Sequence, residues 1–257
     1  MNPESRLRSS PPGTRPAGAR DEAEAAEQVR EMFARIAPRY DFLNHLLSFE
    51  LDRVWRRRVA RRFRHILGRA DARVLDLCCG TSDLGLALER AGQAAVFGTD
   101  FAHPMLVRAR EKAGRANRRA SLGAYAEADA LQMPFADSSF DLVAVAFGFR
   151  NLVNYERGLR EIHRVLRPGG EVGILEFAES RGVVLGRFYR FYFTKIVPRL
   201  GGAISGSAAA YSYLPSSVAA FPRPEELAAM MARAGFADVR FALWTIGSVA
   251  LHAARRP

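Results

Sequence analysis

The stretch Val74-Leu75-Asp76-Leu77-Cys78-Cys79-Gly80-Thr81-Ser82-Asp83 reads as a buried strand that runs into a turn of small residues and then a helix. Small residues let the backbone approach a ligand at the carboxyl end of a strand, where open α/β sheets bind ligands. Asp100 ends the next strand, roughly 20 residues past the turn, where an acid accepts hydrogen bonds from both ribose hydroxyls of a nucleoside. Its competing reading is a helix N-cap, because His103 and Pro104 open a helix just afterward. Asp76 either accepts from an ammonium group of the ligand or fixes the turn. Asp129-Ala130, after the third strand, offers an acceptor for an adenine amino group and a small residue beside the ring, with an ordinary loop acid as the alternative.

The spacing also selects among nucleosides. A dinucleotide fingerprint would place glycines at 78, 80 and 83, where this chain has Cys78, Gly80 and Asp83. A carboxylate at a helix N-terminus would repel a pyrophosphate bound there. S-adenosylmethionine carries no phosphate and is compatible with Asp83, so the comparison favours methyl transfer over hydride transfer.

Positioning these residues requires an alternation of strands and helices. Strands are expected at Val74–Leu77, Ala95–Thr99, Leu122–Ala126, Phe140–Phe147 and Glu171–Phe177, with helices at Leu84–Ala91, His103–Ala113 and Tyr155–Leu166 between them. Arg167-Pro168-Gly169-Gly170 is a sharp turn. Such alternation implies a mostly parallel sheet covered on both faces. Glu27 to Leu67 reads as helical with a break at Pro38, and Pro224–Ala234 as a helix before closing strands at Val239–Trp244 and Ser248–His252. The chain of 257 residues, 49% hydrophobic, suffices for one sizeable core. No apolar run reaches about 18 residues, so no transmembrane helix is expected, and the N-terminus lacks the apolar region of a secretory signal. Cys78 and Cys79 are too few for a disulfide framework or a zinc cluster. They are read as small packing residues, and a cytoplasmic location is expected.

The net charge is +11, carried almost wholly by arginine. Arg53–Arg64 (RVWRRRVARRFR) interleaves Arg with Val54, Trp55, Val59 and Phe63. It is either an amphipathic surface helix with Arg stems over apolar neighbours or a face for a membrane or another anion. No zinc knuckle or aromatic RNA motif accompanies the charge, and no nucleic-acid partner is expected.

Several pieces together resemble the menaquinone/ubiquinone biosynthesis C-methyltransferase family over about Met32 to His252. They are Tyr40-Asp41-Phe42-Leu43-Asn44 with Ser48 and Trp55, the Leu75–Thr81 turn, Pro134–Asp137, Phe147-Gly148-Phe149-Arg150-Asn151, Arg164–Gly170, Leu175–Phe177, Tyr211–Leu214 and Val249–His252. The resemblance implies a class I S-adenosylmethionine-dependent methyltransferase: a Rossmann-like, seven-stranded, mostly parallel sheet with one antiparallel strand, N-terminal helices and a helical insertion before the last two strands. Ahead of it, Met1 to about Gln28 is rich in Pro, Arg, Ser, Ala and Glu, and this composition is expected to leave a disordered tail, 1–28, before a methyltransferase domain, 29–257. The resemblance implies S-adenosylmethionine as co-substrate with contacts at Thr81, Asp100, Asp129 and Ala130 beside Asp76 and Gly80, no metal, and a polyprenyl quinol methylated on ring carbon. The Cys-Cys-Gly-Thr turn leans toward the menaquinone branch. Where the family often has Ser, this chain has Ala146, which removes one hydroxyl from the expected cofactor site.

Ring carbon is a poor nucleophile until an adjacent hydroxyl, with a pKa of about 10, loses its proton. Arg150 is the candidate to stabilise the oxyanion and Asn151 to orient a ring oxygen, while Tyr40, Asp41, Tyr211 and Tyr213 are candidates for proton handling or ring packing. The competing reading of Arg150-Asn151 is a loop-to-helix junction held by salt bridges. The aromatic and basic segment Leu185–Leu200 either meets lipid at the inner face of the membrane or covers the active site. The oligomeric state stays open, a homo-oligomer included.

Overall fold

The structure, a computed structural model, describes residues 13–115, 125–178 and 208–257. Strands β1 (Arg73–Leu77), β2 (Ala95–Asp100), β3 (Tyr125–Glu127), β4 (Phe140–Ala146), β5 (Leu166–Phe177), β6 (Ala237–Trp244) and β7 (Val249–Arg255) form one sheet. Its order is β3-β2-β1-β4-β5-β7-β6. Neighbours run parallel from β3 to β5, and β7 runs antiparallel to both β5 and β6. The chain steps outward from β1 to β3 and returns to place β4 on the other side of β1. This reversal opens a crevice at the carboxyl ends of β1 and β4.

The strands read as nearly continuous apolar runs because both faces are covered. Along β4, Leu142 and Ala144 face one way and Val143 and Val145 the other. The first set packs with Trp55, Val59 and Phe63 from α3 (Leu51–Arg62) and its C-terminal end, with Ile66 and Leu67 from α4 (Arg64–Leu67), and with Leu84 and Leu88 from α5 (Asp83–Glu89). The second packs with Tyr155, Leu159 and Ile162 from α7 (Tyr155–Val165) and with Leu227 and Met231 from a late helix, Pro224–Arg233. Helix α6 (His103–Arg115) supplies Leu106, Ala109 and Ala113 to a smaller cluster around Leu86 and Tyr125.

The N-terminal helices lie over the carboxyl end of the sheet. Helix α1 (Glu22–Ile36) is capped by Asp21, whose side chain accepts from the Glu24 amide at 2.8 Å. A short 3-10 turn, Ala37–Arg39, joins it to α2 (Tyr40–Leu47) at the break expected for Pro38. Ile36 and Ala37 pack on Ala102 and Met105, at the start of α6. Helix α1 opens at Glu22, five residues earlier than periodicity indicated, and of the tail expected over 1–28 only residues 1–12 lie outside the described residues.

Two further departures are local. The Arg167–Gly170 turn is carried inside β5 as a bulge: Leu166 stands opposite Phe140, and Glu171 already stands opposite Leu142. Gly169, at φ +80°, makes that excursion sterically accessible. The helical insertion before the last strands contains α8 (Ala208–Ala220) and α9 (Pro224–Arg233), whereas Leu185–Leu200 and the first residues of the expected third strand lie outside the described residues. Among the described residues no helix is long and apolar enough to cross a membrane.

Phe63 is fully buried, and a Cβ added at Gly173 of β5 would stand 2.5 Å from its ring. The sheet thus approaches the α3–α4 junction through a residue with no side chain. Phe63→Ala should lower unfolding free energy by roughly 3–5 kcal/mol, readable by urea denaturation. A loss under 1 kcal/mol would mean that this contact does not set the α3 packing.

Candidate active site

The turn after β1 is built from left-handed backbone. Cys78, Gly80 and Ser82 have φ of +54°, +53° and +66°, and two of these three are not glycine. Such conformations cost of order 1–3 kcal/mol for a residue with a Cβ and persist only where the surroundings hold them. Two buried acids do the holding. Asp100 Oδ2 accepts from the Gly80 amide at 2.8 Å, and its Oδ1 from the Ala102 amide at 2.9 Å. Asp76 Oδ2 accepts from the Gly85 amide at 2.7 Å and so fixes the first turn of α5. Burial pushes Asp76 up to about 8, against the pull of the Gly85 amide. Burial likewise pushes Asp100 up to about 6, against backbone amides that favour its charge.

The turn after β4 faces it. Phe147 is also left-handed, at φ +60°, and its amide is tied to the Leu175 carbonyl at 2.9 Å. A Cβ added at Gly148 would lie 2.4 Å from Cys78 Cβ, so the two turns touch at a place where only glycine fits. Beyond it, Arg150 is buried against Glu176 of β5. Its Nη1 donates to Glu176 Oε1 at 3.0 Å and to the Phe147 carbonyl, its amide donates to Glu176 Oε2 at 3.1 Å, and its guanidinium lies 5.4 Å from the Phe177 ring centre. Burial raises Glu176 above the usual carboxylate range although Arg150 opposes it.

Asn151 ends a chain of polarised bonds. Tyr213 on α8 donates its hydroxyl proton to Asn151 Oδ1 at 3.1 Å, so the Thr14 hydroxyl, 2.9 Å from the same oxygen, is the donor to Tyr213. Asn151 Nδ2 reaches the Phe147 carbonyl at 3.4 Å. This fixes the amide orientation and leaves one N–H to offer.

Between the two turns lies a cavity of about 390 Å³, in the range of small-molecule sites. Of the residues expected at the site, it brings together Tyr40, Gly80, Asp100, Asp129, Ala130 and Asn151. Cys78, Phe147 and Gly148 complete the wall between β1 and β4. Asp129 also accepts from the Leu131 amide at 2.8 Å, which bends the loop around Ala130. Burial raises the Tyr40 hydroxyl, and the Arg150 charge works against that rise.

The other expected residues do not line this cavity. Asp76 serves the turn, and Arg150 is committed to Glu176. Thr81 and Asp41 hydrogen-bond to each other on the far side of the Gly80 turn, where Lys112 of α6 joins Asp41 at 2.6 Å, Asp83 at 2.8 Å and Thr81 at 2.9 Å. Asp83 therefore faces cations. Burial pushes its carboxyl up, but Arg56 and Lys112 outweigh that and hold it below the usual range. Repulsion of a pyrophosphate by Asp83 is accordingly weaker than its position in the sequence implied. The backbone of Tyr211 lies in α8, and its side chain lies outside the described residues. His45, Asp52 and Asp83 present ligand atoms close together, but Arg56 and Lys112 already compensate the two acids.

Residues not anticipated also line the cavity. Ala23, Ala26, Glu27, Arg30 and Phe33 of α1 cover it. Their spacing of 3, 1, 3 and 3 is one helical face, a signal present in the sequence but carrying too few large apolar residues to stand out. Lys112, which neutralises Asp41 and Asp83, had no local signal at all.

Comparison with known proteins fits this geometry. The model of the ubiE/COQ5 methyltransferase family matches residues 21–256. A demethylmenaquinone methyltransferase of Thermus thermophilus is 52% identical over 227 residues, covering 88% of this chain and 100% of that protein. The ubiquinone/menaquinone biosynthesis C-methyltransferase UbiE of Geotalea daltonii is 40% identical over 232 residues, 87% of this chain and 94% of that one. Among solved structures, a SAM-dependent methyltransferase of Thermotoga maritima superposes with a TM-score of 0.59 at 18% identity, over 88% of this chain and 99% of that chain. At that identity the superposition speaks to the fold alone. With the expected seven-stranded sheet and its one antiparallel strand, a crevice at the strand reversal and a family match over nearly the whole folded chain, the protein belongs to the ubiE/COQ5 methyltransferase family and has the class I S-adenosylmethionine-dependent methyltransferase fold.

Proposed function

We propose that this chain transfers a methyl group from S-adenosylmethionine to a ring carbon of a polyprenyl hydroquinone, in the first instance demethylmenaquinol. A ubiquinone precursor is the second reading, since a relative at 40% identity carries both quinones in its name. The single observation that carries the proposal is that one cavity is lined both by Asp100, a buried acid with no cationic partner among the described residues, and by Asn151, an amide with an N–H to offer.

The residues present fit the methyl donor. Asp100 spends one lone pair of each oxygen on a backbone amide and keeps the others for ribose hydroxyls. Gly80 leaves open the space in which a side chain would approach Tyr40, and Asp129 with Ala130 fits an adenine edge. When bound, S-adenosylmethionine supplies an electrophilic methyl on its sulfonium. This chain orients the acceptor and eases loss of its proton. Asn151 donates to the ring oxygen, and Tyr40 lies beside it as relay or packing partner. The Arg150 charge acts from behind the Phe147 turn and does not touch the ring. The deprotonated ring makes its carbon nucleophilic; the carbon–methyl bond forms as the sulfur–methyl bond breaks, and the ring carbon then loses its proton. Closure by α1 excludes water. Thr81 and Asp41 support the turn and α2. Tyr211 remains a candidate for proton handling or ring packing, and the aromatic-basic segment Leu185–Leu200 for the prenyl chain and for peripheral contact with a membrane.

Incubation with labelled S-adenosylmethionine and reduced demethylmenaquinone, beside a ubiquinone precursor, should label demethylmenaquinol. Transfer to neither would sink the acceptor assignment and leave the fold untouched. Asn151→Ala should lower kcat by about 10²–10³ with cofactor affinity unchanged; an unaltered kcat would remove Asn151 from the mechanism.

The pH dependence follows from Asp100. Hydroxyl donors favour its ionised form, so the bound cofactor should depress a group that stands at about 6 in the free protein. Affinity should therefore rise about tenfold per pH unit below 6 and level off above it. Titration calorimetry from pH 5 to 8 should show this slope, and Asp100→Asn should abolish it. A slope that survives the substitution would assign the titration elsewhere.

A further inference from the structure

Helix α3 presents to solvent a face that the proposed chemistry does not use. Asp52, Trp55, Arg56 and Val59 point inward, while Arg53, Val54, Arg57, Arg58 and Arg61 point outward. Val54, Arg57 and Arg61 follow one another at i, i+3 and i+7 and form the outermost row. Between this face and α5 runs a groove of about 920 Å³. Its lining carries seven cations, Arg53, Arg56, Arg57, Arg61, Arg64, Arg90 and Lys112, against two carboxylates, Asp41 and Asp83. Arg56 and Lys112 are ion-paired within the fold, and Arg53 reaches Glu50 at 2.8 Å. Arg57, Arg61, Arg64 and Arg90 have no ion pair among the described residues. Arginines that share a groove repel one another without offsetting contacts, so the arrangement is suited to an external anion.

The same region exposes apolar side chains. Phe42 is 59% exposed, Phe49 71% and Val54 42%, with Leu51 between them. These lie on α2, on the turn after it and on the outer row of α3. The β6–β7 turn adds Ile246 at 60%, and it is fastened to the same helix by Trp55 Nε1 donating to Thr245 Oγ1 at 2.8 Å and by Arg58 over the Trp244 ring. Large apolar residues exposed in one region and bordered by unpaired arginines match the two layers of a bilayer interface, phosphates outside and acyl chains beneath. A free nucleotide or a nucleic acid would use the arginines and leave the apolar corner in water. Helix α2 joins the two regions, since Tyr40 lines the cavity while Asp41 and His45 line the groove.

We propose that the outer face of α3, with the α2–α3 corner and the β6–β7 turn, docks on an anionic lipid bilayer and thereby presents the cavity to acceptors dissolved in it. The inference deepens the proposed function by naming the surface through which a lipid-borne acceptor arrives, and its test is separable from that function. Full-length protein is sedimented with vesicles of phosphatidylcholine alone and of phosphatidylcholine with phosphatidylglycerol, at low and high salt. Binding should require the anionic lipid and weaken with salt. Arg57→Ala with Arg61→Ala should reduce partitioning about thirty-fold, and Val54→Ser should reduce it further. Cofactor affinity and methyl transfer to a detergent-dispersed acceptor should stay at the level of the unaltered protein. Equal binding to both vesicles, no binding to either, or an unchanged double variant overturns the proposal. So does arginine-dependent binding of inorganic polyphosphate or duplex DNA without vesicle binding. Vesicle binding without methyl transfer to any quinol would leave the surface standing and remove the acceptor assignment.

Discussion

Backbone amides held by buried carboxylates are the constraint on which the rest of this molecule depends. Asp76 and Asp100 stand at or near the ends of adjacent strands, and each accepts from an amide of the segment that follows β1. Between them they stabilise left-handed residues that an unsupported loop would avoid. For neither acid do the contacts that favour its charge outweigh burial, and each is consequently drawn toward its protonated form. The turn is therefore kept rigid at an electrostatic cost, and a ligand that brings hydrogen-bond donors to Asp100 relieves part of it.

The second turn depends on the first. Gly148 fits against Cys78 because the β1 turn is already fixed, and Phe147, Arg150 and Asn151 follow from there. Charge is divided between the two sides of the turn. Inside the cavity Arg30 pairs with Glu27, while Asp100 and Asp129 have no ion pair among the described residues. On the other side, Asp41, Asp83 and Lys112 neutralise one another and hold α2 to α5 and α6. The distinction separates residues kept for a ligand from residues that keep the scaffold together.

Much of this was legible before folding. Short apolar runs alternating with helical segments marked the parallel strands, because burial on both faces leaves a simple pattern. The turn after β1 was marked by small residues bracketed by acids at the spacing a nucleoside needs. What could not be read was direction. Arg150 is next to Asn151 in the chain, yet one side chain pairs with Glu176 of the neighbouring strand and the other lines the cavity. Likewise Tyr40 and Asp41 are adjacent and face opposite sides of the same turn. A helix or a 3-10 turn rotates successive side chains by about 100–120°, so a motif written as consecutive letters does not say which of them meets substrate. Lys112 was hidden for a different reason: its partners come from segments distant in sequence, and no local pattern encodes that encounter.

The position of β7 has a consequence for how the chain is made. β7 follows β6 in the chain yet is an interior strand, seated between β5 and β6 with antiparallel pairing to both. Until residues 249–255 leave the ribosome, β5 presents an unpaired, largely apolar edge, and β6 has no neighbour in the sheet. An open edge of this kind templates pairing with other chains. A folding chain in which β7 has not yet paired thus carries an aggregation hazard, and this seven-residue strand acts as the keystone that closes the sheet.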